Sequence, residues 1–101
     1  MSQIEPAITQ DELLAAQFLV EKDFQLINNV DTYSSFRSHE WILYYANGNR
    51  DNTHNTLSES DLNHEYLMIQ DASILSDEEK KLLNNKTPVL TQGVVAIYKT
   101  K

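Results

Sequence analysis

Apolar residues at helical spacing follow a capping signal near the start of the chain. Thr9-Gln10-Asp11-Glu12 has the spacing of a capping box, in which the Thr and Glu side chains satisfy each other's backbone N–H groups. Behind it, apolar residues recur every three or four positions, which predicts one face of a helix. These residues are Leu13, Ala16, Val20, Phe24 and Ile27. We expect this amphipathic helix to end between Lys22 and Asn29.

A second capping signal predicts a short helix in the last third of the chain. Ser76-Asp77-Glu78-Glu79 repeats the capping-box spacing and leads into Leu82 and Leu83. We expect this helix to close before Thr87-Pro88, because the residue before a proline avoids helical dihedrals.

Three apolar runs predict strands. Trp41–Ala46, Tyr66–Ile69 and Val94–Tyr98 are short and rich in aromatic and β-branched residues. Val89-Leu90 is a candidate extension of the last strand. Asn47-Gly48 directly follows the first run and is a hairpin turn signal.

Polar stretches separate these elements. We interpret Val30–Ser38 as a loop held by Tyr33 and Phe36, and residues 47–60 as a long polar loop. Residues 1–8 are expected to form a flexible N-terminal segment ahead of a single domain that spans 1–101.

The element order predicts an α+β fold, with a small sheet of three or more strands packed against the N-terminal amphipathic helix and a second short helix before the last strand. Strand alternation would give this sheet two apolar faces. The aliphatic set is Ile42, Tyr44, Leu67, Ile69, Val95 and Ile97. The set richer in aromatic residues is Trp41, Leu43, Tyr45, Tyr66, Met68, Val94 and Tyr98. If no helix covers it, the second face would be a binding surface or a dimer interface.

Charge and composition narrow the classes of function. The 101 residues carry 15 acids and 8 bases, a net charge of −7, and residues 1–85 alone hold 15 acids and 5 bases. Such a surface repels phosphate backbones, so we expect no direct nucleic-acid binding. It favours fast association with a basic partner instead. Without cysteine, a disulfide framework and a thiolate nucleophile are excluded.

Neither a membrane span nor a signal peptide is visible in the sequence. The longest apolar run, Trp41–Ala46, is six residues long, far below the roughly 18 residues that a span requires. The first residues carry neither a basic region nor an apolar core. We therefore expect a cytoplasmic protein.

Catalytic and metal-binding signatures are weak. Each histidine stands near acids, and Asp61 and His64 would share one face of a helix, but His64 falls where a strand is expected to begin. The sequence lacks the second histidine of a zinc-protease motif. With only Gly48 and Gly93, it cannot form a glycine-rich phosphate loop or a nucleophile elbow. We predict no enzyme activity, no cofactor and no metal.

The remaining pattern combines aromatic residues with acids. Tyrosine and tryptophan are common anchors at protein interfaces, and nearby carboxylates can pair with a basic target. The predicted partner-binding residues are Trp41, Tyr44, Tyr45, Asp51, Glu59, Asp61, Glu65 and Tyr66. The leading hypothesis is a small, non-catalytic acidic protein that binds and inhibits a basic protein, in the manner of an immunity protein, an antitoxin or a phage inhibitor.

Two other hypotheses remain open. One is a small ligand-binding or regulatory α+β module, a monomer or a homodimer formed through its sheet. The other is a mimic of DNA charge, which would need acids spaced like phosphates on one surface.

Overall fold

The predicted α+β class is confirmed by a computed structural model that describes residues 8–30, 38–48 and 50–101. Its helices are α1 (Gln10–Phe18), α2 (Ser38–Ala46) and α3 (Asp77–Leu82). Its strands are β1 (Phe24–Ile27), β2 (Thr53–His54), β3 (Tyr66–Ile69), β4 (Pro88–Gln92) and β5 (Val95–Lys99). Short 3₁₀ helices lie at Arg50–Asn52, Glu59–Asn63 and Ala72–Ile74.

The strands form one mixed sheet in the order β2-β1-β3-β5-β4. β1 runs parallel to both of its neighbours, β2 and β3. β5 is antiparallel to both β3 and β4. The N-terminal helix and the short helix before the last strands are present as predicted. α2, β1 and β2 were not foreseen, and β4 was expected only as an extension of the last strand.

The first helix begins as predicted but ends earlier. Thr9 and Glu12 form the complete capping box. The helix stops at Phe18, and Glu21 has a φ of 64°, a left-handed conformation that no helix can continue through. Phe24 and Ile27 therefore belong to strand β1, so the prediction that they extend the helix was wrong. β1 is buried at all four positions, and such a strand shows no period-2 alternation to distinguish it from a helix.

The predicted strand Trp41–Ala46 is instead the main part of α2. Ile42, Leu43 and Ala46 are its buried residues, and this spacing is helical. Asn47 then has a φ of 58°, and its N–H donates to the Tyr44 carbonyl while the Gly48 N–H donates to the Leu43 carbonyl. These two bonds form a Schellman motif, so Asn47-Gly48 ends a helix rather than turning a hairpin.

The polar stretches differ in part from the prediction. Residues 47–60 are not a continuous loop, because they contain a 3₁₀ helix and the short strand β2, which pairs with β1. Most of the predicted Val30–Ser38 loop, with Tyr33 and Phe36, lies outside the described residues, and Ser38 begins α2. Of residues 1–8, only Ile8 is described, and it packs against the core.

β4 and β5 form a hairpin. Val89-Leu90 is part of the separate strand β4 rather than an extension of β5. Gly93 has a φ of 59° at the first position of the two-residue turn, where a type II′ turn requires glycine.

The two faces of the sheet have separate cores. Face A is covered by α1 and α2, and its buried core consists of Ala15, Ala16, Leu19, Phe24, Leu26, Ile42, Leu43, Ala46, Met68, Val95 and Ile97. Face B is covered by α3 and the neighbouring segments, and its buried core consists of Ile27, Leu57, Leu67, Ile69, Leu75 and Leu83. Each face is therefore buried, and both cores share one sheet.

The predicted division of side chains between the faces was wrong. Met68 pairs with Ile97 and Leu67 pairs with Tyr98, which places Ile97 on face A and Tyr98 on face B. Trp41, Leu43 and Tyr45 lie on α2 and not on the sheet, so the described residues form no open aromatic sheet face. Within residues 8–30, 38–48 and 50–101, no helix is both long enough and apolar enough to cross a membrane.

Candidate partner-binding surface

Helix α2 carries three aromatic side chains: Tyr44 on its exposed face, and Trp41 and Tyr45 at its margins, where Tyr45 packs against the face A core. Ile42, Leu43 and Ala46 take the inward positions, so the remaining large residues of the helix lie at its margins and on its exposed face. Tyr44 is 71% exposed, whereas Trp41 and Tyr45 are half-buried. We call Trp41, Tyr44 and Tyr45 the α2 aromatic cluster.

The three rings contact one another. Trp41 and Tyr45 are stacked, with centroids 6.2 Å apart and an interplanar angle of 29°. Tyr44 is nearly perpendicular to both, at 6.0 Å from Trp41 and 5.3 Å from Tyr45. Mutual edge-to-face packing restricts the rings and leaves much of Tyr44 facing solvent.

The same helix carries an acid beside these rings. Glu40 is four residues before Tyr44 and one before Trp41, so it lies one turn away on the Tyr44 side of α2. Between Ser38 and Gly48 there is no Lys or Arg. Glu40 is not among the partner-binding residues predicted from the sequence.

The other predicted acids are distributed over different elements. Asp51 is exposed in the 3₁₀ helix that follows α2, and Glu59 is exposed at the start of the turn Glu59–Asn63. Glu65 precedes β3 and lies 4.0 Å from the Lys99 ammonium. These carboxylates contribute to the overall negative field rather than to one compact site.

Asp61 is buried and hydrogen-bonded within the fold. Its carboxylate is 1% exposed and accepts from Nδ1 of His54 at 2.6 Å. It also accepts from the Ser58 N–H at 2.8 Å and the Ser58 hydroxyl at 3.1 Å. Because a carboxylate only accepts, the proton of this pair lies on Nδ1 of His54. Asp61 therefore connects the turn to β2 through its hydrogen bond with His54, and it is not accessible to a partner.

Tyr66 belongs to a second aromatic contact on face A. Its ring meets Phe18 edge-on at 5.6 Å, and the Lys99 ammonium lies 6.0 Å from its centroid. The Lys22 ammonium lies 5.0 Å from the Phe18 centroid. The rings of Phe18 and Tyr66 thus join the end of α1 to β3, and no described ring contact connects them to the α2 aromatic cluster.

A row of buried polar side chains crosses the carboxyl ends of the parallel strands on face A. Gln70 follows β3 and donates its amide N–H to Glu12 at 2.7 Å. Beside it, Asn28 follows β1, is 7% exposed, and its Nδ2 lies 3.1 Å from Nδ1 of His39. Asn28 Oδ1 and Thr53 Oγ1 are buried without a hydrogen-bond partner among the described residues. No local sequence pattern connects these residues, because the other members of the row lie 16 to 58 positions after Glu12.

Two histidines pair with acids that are not their sequence neighbours. His64 contacts Asp23 at 2.8 Å, and His54 contacts Asp61 at 2.6 Å. These pairs are separated by 41 and 7 residues, so adjacency in the sequence could not identify them. Among the residues that the structure describes, no group of three or more His, Cys, Asp or Glu could hold a metal ion.

Two carboxylates have lowered pKa values that reflect structural hydrogen bonds. The His64 ring, and then the Glu65 N–H, lower the pKa of Asp23 by bonding to its charged form. Burial alone would raise the pKa of Glu79, but hydrogen bonds from the Leu57 N–H and from Ser76 outweigh it and lower the pKa. Glu79 also borders an open groove of about 570 Å³, lined by Thr56, Leu57, Ser76, Glu78, Glu79 and Leu82.

Comparison with known proteins yields no relative. No protein-family model matches the chain, and no curated protein or solved structure does. Geometry and charge are therefore the basis for assigning a function.

Proposed function

We propose that this chain is a small, non-catalytic acidic protein that binds a basic protein partner and inhibits it by covering a functional surface. The observation that carries the proposal is the α2 aromatic cluster, with Tyr44 exposed to solvent on a helix whose other face is in the core. Tyrosine and tryptophan dominate binding energy at interfaces because they bury large areas at a small cost in side-chain entropy.

The negative charge supports a basic partner in particular. A net charge of −7 on 101 residues raises the encounter rate with a positively charged protein and opposes binding to nucleic acid. In this proposal Trp41, Tyr44 and Tyr45 are anchors, while Asp51 and Glu59 contribute long-range attraction. Asp61 and Tyr66, which are engaged within the fold, support the structure.

A cytoplasmic location and a monomeric or homodimeric state are parts of the same proposal. Each face of the sheet packs into a hydrophobic core. A homodimer would therefore form through a helix or a sheet edge rather than through a sheet face.

The proposal is tested by capture from source-cell lysate at low and high salt, followed by binding measurements with the purified captured protein. We expect a basic protein whose capture is lost as salt rises and is strongly reduced by Tyr44→Ala. Ile74→Ala is the matched control, because Ile74 is an exposed apolar residue (56%) on a different element. If Tyr44→Ala and Ile74→Ala bind the captured protein equally well, the α2 aromatic cluster is not the interface.

A ligand-binding or regulatory module is the second candidate, and the buried polar row favours it. Parallel sheets bind ligands beyond the carboxyl ends of their strands, where Asn28 and Gln70 lie. Native mass spectrometry of protein purified from its source cells tests this. A small molecule retained by the wild type and lost in Asn28→Leu would favour the module over the inhibitor.

A mimic of DNA charge ranks below both. Such a mimic needs its acids on one surface, whereas Glu12, Asp61 and Glu79 accept hydrogen bonds that hold the fold together. Failure of this chain to compete with DNA for a DNA-binding protein would rule out the mimic.

A further inference from the structure

We propose that the outer edge of β4 pairs with the same edge of a second copy of this chain. The two strands run antiparallel about a two-fold axis, and the two five-stranded sheets join into one continuous sheet. The inference goes beyond the proposed function, because it selects one oligomeric state and one interface and does not depend on the α2 aromatic cluster.

The backbone of β4 exposes hydrogen-bonding groups that no described strand occupies. β2 and β4 are the edges of the sheet, and β4, with five residues, is the longer edge. Gln92 and Val95 flank the two-residue turn and therefore form a hydrogen-bonded pair, so alternation along the ladder points the N–H and C=O of Thr91 away from β5. Unpaired groups of this kind are a template for pairing with another strand.

The edge lacks the charged side chains that usually prevent such pairing. Charged residues make up 23% of the chain, yet residues 87–98 contain none and form its longest uncharged stretch. With a net charge of −7, two copies repel each other, and they approach at the least electrostatic cost along an edge without acids. A basic partner gains no attraction from this uncharged edge, so charge favours a second copy as the occupant.

An exposed apolar side chain lies on the same strand. Val89 is 48% exposed, although its neighbour Leu90 packs against the core of face A. Pairing with a second copy removes Val89 from water, which adds a hydrophobic contribution to the backbone hydrogen bonds.

Antiparallel pairing also suits the two ends of β4. The carboxylate of Asp11 in α1 lies against the turn at Gly93, and antiparallel pairing places the two turns at opposite ends of the interface. Pro88 begins the strand without an N–H, and the ladder is irregular between Pro88 and Leu90. The pairing is therefore short and centred on the residues just before the turn.

The second edge of the sheet favours a closed dimer over a fibre. β2 has two residues, and the exposed Asp51 comes shortly before it. Once two copies have paired through β4, a third copy therefore meets no edge of the same kind.

A dimer of this kind leaves the α2 aromatic cluster free on both copies. α1 contacts β4 and β5 as well as α2, so the width of α1 separates α2 from the β4 edge. The proposed partner site is then presented twice, and self-pairing and partner binding can be lost independently.

Hydrogen exchange over a series of protein concentrations tests the pairing without any substitution. In a single copy the Thr91 N–H faces solvent and exchanges fast, whereas the Gln92 N–H is already bonded to β5. We expect the Thr91 amide of the full chain to become protected between about 10 μM and about 1 mM, while protection of Gln92 changes little. Sedimentation should show a dimer forming over the same range, from about 10 μM to about 1 mM.

Two variants act on the edge itself. Thr91→Pro removes the outward N–H without removing a hydrogen bond within one copy, and Val89→Lys places a cation on the edge. Each should raise the dissociation constant of the dimer by about tenfold or more in sedimentation. Val20→Lys is the matched control, because Val20 is an exposed valine beyond the end of α1, and it should leave the constant unchanged. Circular dichroism and the urea midpoint establish that each variant is folded.

Three results would overturn the inference. They are a monomer throughout the concentration series, a Thr91 amide that exchanges equally fast at both ends of it, and a dimer that Thr91→Pro and Val89→Lys leave intact. A monomer that still captures a basic partner through Tyr44 removes the edge inference and leaves the proposed function standing. A dimer that depends on Thr91 but captures no partner through Tyr44 does the reverse.

Discussion

On the outer side of α2, Tyr44 is 71% exposed, whereas Asp61 in the turn Glu59–Asn63 is 1% exposed and accepts three hydrogen bonds. Both regions carry residues that the sequence pattern predicted to bind a partner. In the turn these groups hold the fold together, and on α2 they face solvent. The difference shows that residue type alone does not identify a binding surface, because a carboxylate such as Asp61, which could pair with a basic target, is buried and stabilises the fold instead.

The largest expected effect is a difference in the free energy of unfolding between substitutions on the buried and the exposed sides of α2. Ile42→Ala should lower the free energy of unfolding by about 2–5 kcal/mol, because it removes a fully buried side chain between helix and sheet. Tyr44→Ala, on the opposite side, should change it by no more than about 0.5 kcal/mol. Urea denaturation measures both. A large loss in Tyr44→Ala would mean that the ring is part of the core and not a free anchor.

The next largest effect on the free energy of unfolding is expected within the turn Glu59–Asn63, where a buried and an exposed acid are compared. Asp61→Ala should lower the free energy of unfolding by about 2–3 kcal/mol, since it leaves the Ser58 N–H without its charged acceptor and releases His54. Glu59→Ala, two residues earlier and exposed, is the matched control and should stay within about 0.5 kcal/mol of the wild type. Equal effects in urea denaturation would contradict the structural role of Asp61.

A smaller effect is expected at the end of α2. Asn47→Gly should keep or slightly raise stability, because glycine adopts a positive φ without strain. Asn47→Ala should lose about 1 kcal/mol, since alanine lacks both that freedom and the local hydrogen bonding of asparagine. The difference in urea midpoint between the two variants measures this. If alanine is tolerated as well as glycine, the left-handed cap is not formed.

The smallest effect concerns pH. The pKa of Asp23 is lowered from its ordinary value of 3.8 by the His64 and Glu65 hydrogen bonds, so its charged form stabilises the fold at pH values above 3.8. This contribution is lost as the pH falls through the lowered value. Asp23→Asn should therefore reduce the drop in urea midpoint on acidification. It should not remove the drop, because the pKa of Glu79 is lowered too. An unchanged pH profile in Asp23→Asn would contradict the pairing.

Local signals in the sequence were sufficient for some elements. The capping boxes at Thr9 and Ser76 depend on residues three positions apart, and both form as expected. β3 and β5 also lie where their apolar runs predicted. These elements could be predicted because the sequence signals for each of them lie within a single segment.

The errors fall where distant contacts decide the outcome. Trp41–Ala46 has high β propensity, yet packing of Ile42, Leu43 and Ala46 against face A makes it a helix. Asn47-Gly48 serves a hairpin and a helix end equally well, so the pair could not distinguish between them. The His54–Asp61 pair requires the turn between them to be known first.

The candidate site was predicted in part. Trp41, Tyr44 and Tyr45 do lie together, but they do so because residues three and four positions apart are neighbours on a helix, and not because they belong to a strand. The separation of Asp61 and Tyr66 from them depends on burial, which a sequence alone does not show.

The most direct test of the α2 surface is a two-dimensional ¹⁵N–¹H NMR titration of the full chain with the captured basic protein. We predict that shifts concentrate on the amides of α2 and on the Trp41 indole N–H, while the turn Glu59–Asn63 keeps its positions. Shifts centred on the turn, with α2 unchanged, would contradict the assignment of the α2 aromatic cluster as the partner-binding surface.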